Sequence, residues 1–249
     1  MRVAGRLAAS VLDMIGDHIR PGVTTNELNQ ICHDYMVNEL DAIPAPLNYG
    51  NPPFPKSICT SINEQVCHGI PSEKKLKKGD ALNIDVTVIK TVTTAIPAKC
   101  TSSATPCHMY SVWRKSPSNA CTSHPAGASR RHSGDIGHAI QTHAEQHNYS
   151  VVREFCGHGI GKIFHEAPQI LHYGKAGEGD VLQEGMIFTI EPMINQGKRH
   201  IKILADQWTA VTKDRRPSAQ WEHTVLVTND GFEILTLRHE ENGWQDRLS

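Results

Sequence analysis

Over residues 1–20, Val3, Leu7, Val11, Met14 and Ile15 recur at helical spacing on one stripe, and Pro21-Gly22 ends the run. A first helix is predicted there, already under way at the first residue with no capping side chain before it. Thr24 with Glu27 has the form of a capping box, predicting a second helix to about Leu40. Residues 41–58 hold five prolines and read as loop. At 81–89 the period changes to two: Leu82, Ile84, Val86 and Val88 point one way, Asn83, Asp85 and Thr87 the other, as in a strand. A helix is predicted over 134–148 and strands over 186–194 and 221–228. Glycine-rich turns follow at 157–161 and at Asn229-Asp230-Gly231. Helices mixed with strands in this order predict an α+β domain with antiparallel sheet.

One stretch breaks the pattern. From Thr91 to about Ser133 the composition turns to Ser, Thr, Pro, Ala, Cys and Arg, and no Asp or Glu occurs in the 49 residues between Asp85 and Asp135. Neither helical nor strand periodicity survives, so no strand or helix is expected over 91–133. The rest of the composition is ordinary. A chain of 249 residues, 39% of them hydrophobic, can bury a core without disulfides. Seven cysteines, an odd number with no repeated spacing, fit a reducing cytoplasm. A net charge of −1 gives no general attraction to nucleic acid or anionic lipid. No apolar run reaches the ~18 residues of a membrane span, and the first residues carry no signal-peptide pattern.

The chemistry lies in polar residues placed on apolar strands. Asp85 sits in Asn83-Ile84-Asp85-Val86-Thr87, Glu191 in Phe188-Thr189-Ile190-Glu191-Pro192-Met193, and Glu222 in Gln220-Trp221-Glu222-His223-Thr224. An unpaired carboxylate in such a setting is costly, and a shared dication would remove the cost for all three. His158, between glycines in Cys156-Gly157-His158-Gly159, could add an imidazole ligand. Carboxylates with one histidine suit Mn, Fe, Co or Zn better than a thiolate-selective metal. His138, His143 and His147 fall at helical spacing and read as solvated.

Taken with Val66-Cys67-His68-Gly69-Ile70-Pro71, Gly157-His158-Gly159-Ile160-Gly161 and Phe164-His165-Glu166, these motifs closely resemble type I bacterial methionine aminopeptidases, in that family's order and nearly its spacing. The resemblance covers residues 1–90 and 134–240. It implies one catalytic domain over 1–249 with the pita-bread fold, an antiparallel sheet flanked by helices with pseudo-twofold symmetry. It also implies two divalent metal ions (Co, Mn, Fe or Zn) held by Asp85, His158, Glu191 and Glu222, with Glu222 bridging. By motif position Glu191 would shuttle the proton, His68 would contact substrate near the scissile bond, and His165 would hydrogen-bond the scissile carbonyl. The methionine side chain, soft and flexible, would sit among Cys59, Phe54, Phe164 and Trp208. The family usually has glycine before that tryptophan; here it is Gln207. The partners implied are nascent polypeptide N-termini, at the ribosome, for a cytoplasmic monomer without affinity for nucleic acid or membrane. The reaction implied is removal of the initiator methionine, with small second residues preferred. The family's chains usually begin somewhat earlier, so Met1 is expected to be an internal methionine.

The family also has a second metal-binding Asp eleven residues after the first, within V-I-K-D-G-Y-H-G-D-T-S-K-M. Position 96 here is Ile96, which binds no metal. A one-base deletion explains it. The peptide D-G-Y-H-G-D-T-S-K-M-Y-I-V-G, written in suitable synonymous codons and read without its first base, gives all 14 residues from Thr91 to Ala104. Residues 91–133 therefore read as aberrant, a segment translated out of frame and restored before Gly134-Asp135-Ile136-Gly137. The alternative function is a catalytically impaired pita-bread protein that binds peptides or a partner, because the second Asp is missing.

Overall fold

The computed structural model describes residues 1–102 and 131–241. The first helix, Arg2–Ile15, buries Ala4, Ala8, Ala9, Val11, Leu12 and Ile15. Val3, predicted on the inner stripe, is instead 54% exposed. The reason is the closeness of the helix to strands Val88–Lys90 and Thr93–Ala95, which selects small residues on its inner face. At Gly5 a Cβ would lie 2.2 Å from the Leu235 carbonyl oxygen. Gly5→Ala is accordingly expected to lower stability by about 1–3 kcal/mol through overpacking. An unchanged urea midpoint would show that the contact yields freely.

The second helix forms as its capping box predicts. Glu27 N donates to Thr24 Oγ1 at 3.0 Å, and Thr24 N donates to Glu27 Oε2 at 2.7 Å. It runs over Thr25–Asp34 and continues as a π-helical turn over Tyr35–Glu39, burying Leu28, Cys32 and Met36. Segment 41–58 is mostly turns, apart from a short strand Ile43–Pro44 beside Val88–Ile89.

The predicted strand over 81–89 divides into Ala81–Asp85 and Val88–Lys90. Leu82, Ile84, Val86 and Val88 join both helices in the first core. Across the strand, Asn83 and Thr87 are buried as well. The polar face of this strand therefore looks into the molecule, where the site lies.

The expectation that 91–133 forms no strand is overturned for its first part. Thr93–Ala95 pairs with Val88–Lys90. Ala98–Ser102 pairs antiparallel with Ala81–Asp85, from Ala81↔Ser102 to Asp85↔Ala98. Strand pairing is made by the backbone, and an unpaired ladder beside the buried Ala81–Asp85 strand would leave polar groups unsatisfied. Small or apolar residues at buried positions, Ala95, Ile96, Ala98 and Cys100, fit that place. The helix expected to be absent around 105–125 lies outside the described residues.

The second half repeats the layering. Helix Ser133–Gln146 covers a sheet ordered Glu166–Ile170, Gly157–Gly159, Ile187–Ile190, His223–Val227 and Phe232–Ile234, all antiparallel. Ile136, Ile140, Phe188, Ile190, Trp221 and Val225 form its core. The two halves meet where Ala98 bridges Glu222: Glu222 N donates to Ala98 O at 3.0 Å and Ala98 N to Glu222 O at 3.3 Å.

Candidate active site

Three carboxylates reach one cavity from the two halves. Asp85 ends the strand Ala81–Asp85, and Glu191 follows the strand Ile187–Ile190. Glu222 lies between the strands Ser218–Gln220 and His223–Val227. Thr189 Oγ1 donates to Glu191 Oε1 at 2.8 Å, and His172 Nε2 accepts the Glu191 amide hydrogen at 3.1 Å. Burial raises the Asp85 pKa to about 7. Burial, opposed by the Thr189 hydroxyl and reinforced by the Asp85 charge, raises Glu191 to about 8. Glu222 is pushed well up by burial and by both other carboxylates.

His158 Nδ1 lies 2.9 Å from the Gly159 carbonyl. That oxygen only accepts, so Nδ1 carries the hydrogen and the Nε2 lone pair faces Glu191 Oε1 at 3.6 Å. Burial lowers the His158 pKa and keeps the ring neutral, the form in which imidazole binds metal.

These groups fit a divalent cation. The Asp85 Oδ1 atom is buried without a hydrogen-bond partner, and among the described residues no lysine or arginine lines the cavity with the three carboxylates. Among the described residues the side chains form an open set, not a closed cluster of three or more ligands.

The cavity holds about 280 Å³ and is lined by every residue that the sequence reading assigned to metal, catalysis or substrate. In it Phe54 meets the Trp208 ring edge-on at 5.2 Å, and Cys59 and Phe164 line the same cavity. His68, with φ +55, sets its ring edge-on to Phe155 at 5.4 Å and to Trp208 at 6.0 Å. Burial lowers its pKa to about 4. His165 stands at the rim, its ring centroid 4.1 Å from that of His158 and 4.3 Å from Phe164. Desolvation by these neighbours, then the His158 and His68 rings, holds its pKa below the ordinary range although the residue reaches the surface.

Trp208 is fixed by the loop before it. Its Nε1 donates to Pro52 O at 3.1 Å, and Asp206 Oδ1 accepts from the Trp208 and Thr209 amides at 2.9 and 2.8 Å. Gln207 in that loop has φ +65, a left-handed conformation that a side chain disfavours. Glycine suits this position without strain, so Gln207→Gly is expected to raise stability by roughly 1 kcal/mol. A thermal midpoint that falls would contradict this reading.

Sequence reasoning did not single out Tyr49 or His172. Tyr49 lies in a proline-rich loop and His172 in Leu171-His172-Tyr173, neither with a spacing that marks a site. Ile96 also lines the cavity, at the place expected of the second Asp. Its backbone is tied to Thr224: Ile96 N donates to Thr224 Oγ1 at 3.1 Å, and that hydroxyl donates to Ile96 O at 3.0 Å. On the helix Ser133–Gln146 and just beyond it, His138 and His147 are exposed and His143 is half-buried, away from the cavity.

The chain is similar to proteins of known family. The methionine aminopeptidase of Rickettsia prowazekii (strain Madrid E) is 52% identical over 95% of this chain and 91% of its own. That of Salmonella typhimurium is 52% identical over 97% of this chain and 91% of its own. The crystal structure of the Rickettsia prowazekii methionine aminopeptidase superposes with a TM-score of 0.89 at 49% identity, covering 95% of each chain. The fold is therefore the pita-bread fold of those structures. Residues 1–229 match metallopeptidase family M24, and with these relatives the chain belongs to that family, among its methionine aminopeptidases.

Proposed function

We propose that this chain removes the initiator methionine from nascent polypeptides by metal-assisted hydrolysis of the first peptide bond. The observation that carries the reading is one cavity lined both by Cys59, Phe54, Phe164 and Trp208 and by Asp85, His158, Glu191 and Glu222. The apolar members of the lining accept a thioether side chain. The four polar residues hold divalent metal, with Co, Mn, Fe and Zn all compatible with the donor set. Bound there, such an ion supplies Lewis acidity toward the scissile carbonyl and makes water more acidic.

The protein's own groups do the rest. Glu191 takes a proton from the attacking water and delivers it to the leaving amine. His165 donates a hydrogen bond to the scissile carbonyl oxygen as charge builds there, and His68 holds the peptide beside it. Small second residues are preferred, and the enzyme works in the cytoplasm as a monomer on chains leaving the ribosome. The described residues include no helix long and apolar enough to cross a membrane.

The test is release of methionine from Met-Gly and Met-Ala peptides with Co or Mn supplied. Glu191→Gln should lower the rate by about 10²–10⁴-fold, as expected for loss of an acid–base group, with the fold retained by circular dichroism. Equal rates would remove Glu191 from the chemistry.

A second reading rests on Ile96 in the cavity wall. In it residues 91–133 are translated out of frame, and the chain as written binds peptides while hydrolysing them poorly.

A further inference from the structure

The residue that touches the reaction's proposed carbonyl partner is one that no motif marks. The Tyr49 hydroxyl lies 2.7 Å from His165 Nδ1. Its ring packs on Phe164 at 4.7 Å and on His165 at 5.3 Å between centroids.

The loop around Tyr49 is built to present it. Tyr49 N donates to Pro46 O at 3.0 Å, and Tyr49 O accepts from Phe54 N at 2.8 Å, so both of its backbone groups are tied down. Its neighbours Asn48 and Gly50 take left-handed conformations, with φ +65 and +82. At Gly50 a Cβ would lie 2.5 Å from the Trp208 ring, so the loop is pressed against the floor of the cavity.

A neutral imidazole carries one hydrogen on one of two nitrogens, and the partner of one nitrogen decides which. Only the form with hydrogen on Nε2 can donate from Nε2 to a carbonyl oxygen. That form needs a donor at Nδ1, and a phenol O–H at 2.7 Å is one.

We propose that Tyr49 is the positioning residue of His165: its hydroxyl donates to Nδ1, holds the hydrogen on Nε2, and aims that hydrogen into the cavity toward the scissile carbonyl. This rests on the reading of His165 as the carbonyl's partner. It gives the aromatic rim of the cavity a role in turnover as well as in shape.

The deciding measurement is the tautomer of His165, read from long-range ¹H–¹⁵N correlations of ¹⁵N-histidine-labelled protein and assigned by loss of the signal in His165→Ala. It needs no turnover. The expected result is hydrogen on Nε2 in the parent chain and a mixture of tautomers in Tyr49→Phe. Hydrogen on Nδ1 in the parent, or a pattern unchanged by Tyr49→Phe, overturns the proposal.

Kinetics separate it from the reading beneath it. Tyr49→Phe should lower kcat on a Met-Ala peptide by about three- to tenfold with KM little changed, the size of one lost hydrogen bond. In a His165→Ala background the same change should have no further effect. If His165→Ala leaves kcat intact, the reading of His165 fails. If His165→Ala lowers kcat and Tyr49→Phe adds its full effect on top, Tyr49 acts on the pocket alone and the positioning role is refuted.

Discussion

With Co or Mn supplied, the chain as written is expected to release methionine from Met-Gly or Met-Ala peptides more than about 10–100-fold more slowly than the same chain with 91–133 returned to the family's frame. The bound comes from the cost of losing an outer partner of a metal site; losing a direct ligand costs more. Ile96 is buried in the cavity wall, and Thr224 holds its backbone through two hydrogen bonds while Glu222, two residues earlier, faces the same cavity. These bonds use only the backbone of residue 96, so Ile96→Asp would set a carboxylate where the isobutyl-sized side chain now sits without moving the strand. Ile96→Asp alone should therefore recover part of the activity, and the fully restored segment the rest. Measured side by side with equal metal, near-equal rates in the chain as written and the restored chain would refute both the out-of-frame account and the need for a second Asp. Resequencing the gene across codons 85–140 bears on the same account without kinetics: recovery of a D-G-Y-H-G-D frame restores the enzyme reading in full.

The parts of this site that could be read from sequence are those where chemistry conflicts with its local setting. Asp85, Glu191 and Glu222 stood out because carboxylates on apolar strands demand a partner, and His158, set between two glycines, as an imidazole that could join them. The cavity brings all four together. Tyr49 and His172 gave no such signal, since a tyrosine in a loop and a histidine beside another aromatic residue are compatible with many settings. Their roles come from long-range placement, 116 residues apart for Tyr49 and His165. The helices were legible through capping and periodicity, yet the inner face of the first helix was misjudged at Val3. Large aliphatic residues dominate a periodicity, while a close helix–sheet contact is made by Ala4, Gly5 and Ala8. The strands at 93–102 were invisible for another reason. Their side chains carry no alternation to find, and it is the backbone of Ala81–Asp85 that recruits Ala98–Ser102.

Divalent metal is expected to raise the thermal midpoint far more at pH 8 than at pH 5. The cause is the raised pKa of the buried carboxylates, about 7 for Asp85 and about 8 for Glu191, with Glu222 shifted in the same direction. Carboxyl groups in the unfolded chain titrate near 4. Between about pH 4 and pH 8 the metal-free folded protein therefore holds more protons than the unfolded chain. By linkage its stability falls as pH rises through that window, and the loss is complete only above the folded pKa values. The groups repel one another and titrate as a set, so the decline is spread over the window. A bound dication reverses the sign of the problem, because it favours the ionised carboxylates that burial opposes. At pH 5 it must compete with protons; at pH 8 it does not, and both its affinity and its stabilisation are larger. Thermal melts with and without Mn at pH 5, 6, 7 and 8 measure this directly. In the metal-free series the midpoint should decline from pH 5 to pH 8, and the gain from Mn should grow over the same range. Asp85→Asn, which removes one ionisable group of the set, should flatten the metal-free decline while reducing the gain from Mn. A metal-free midpoint that rises toward pH 8, or a gain from Mn that is the same at every pH, would show that these carboxylates are not the protonated, cation-seeking set that their burial implies.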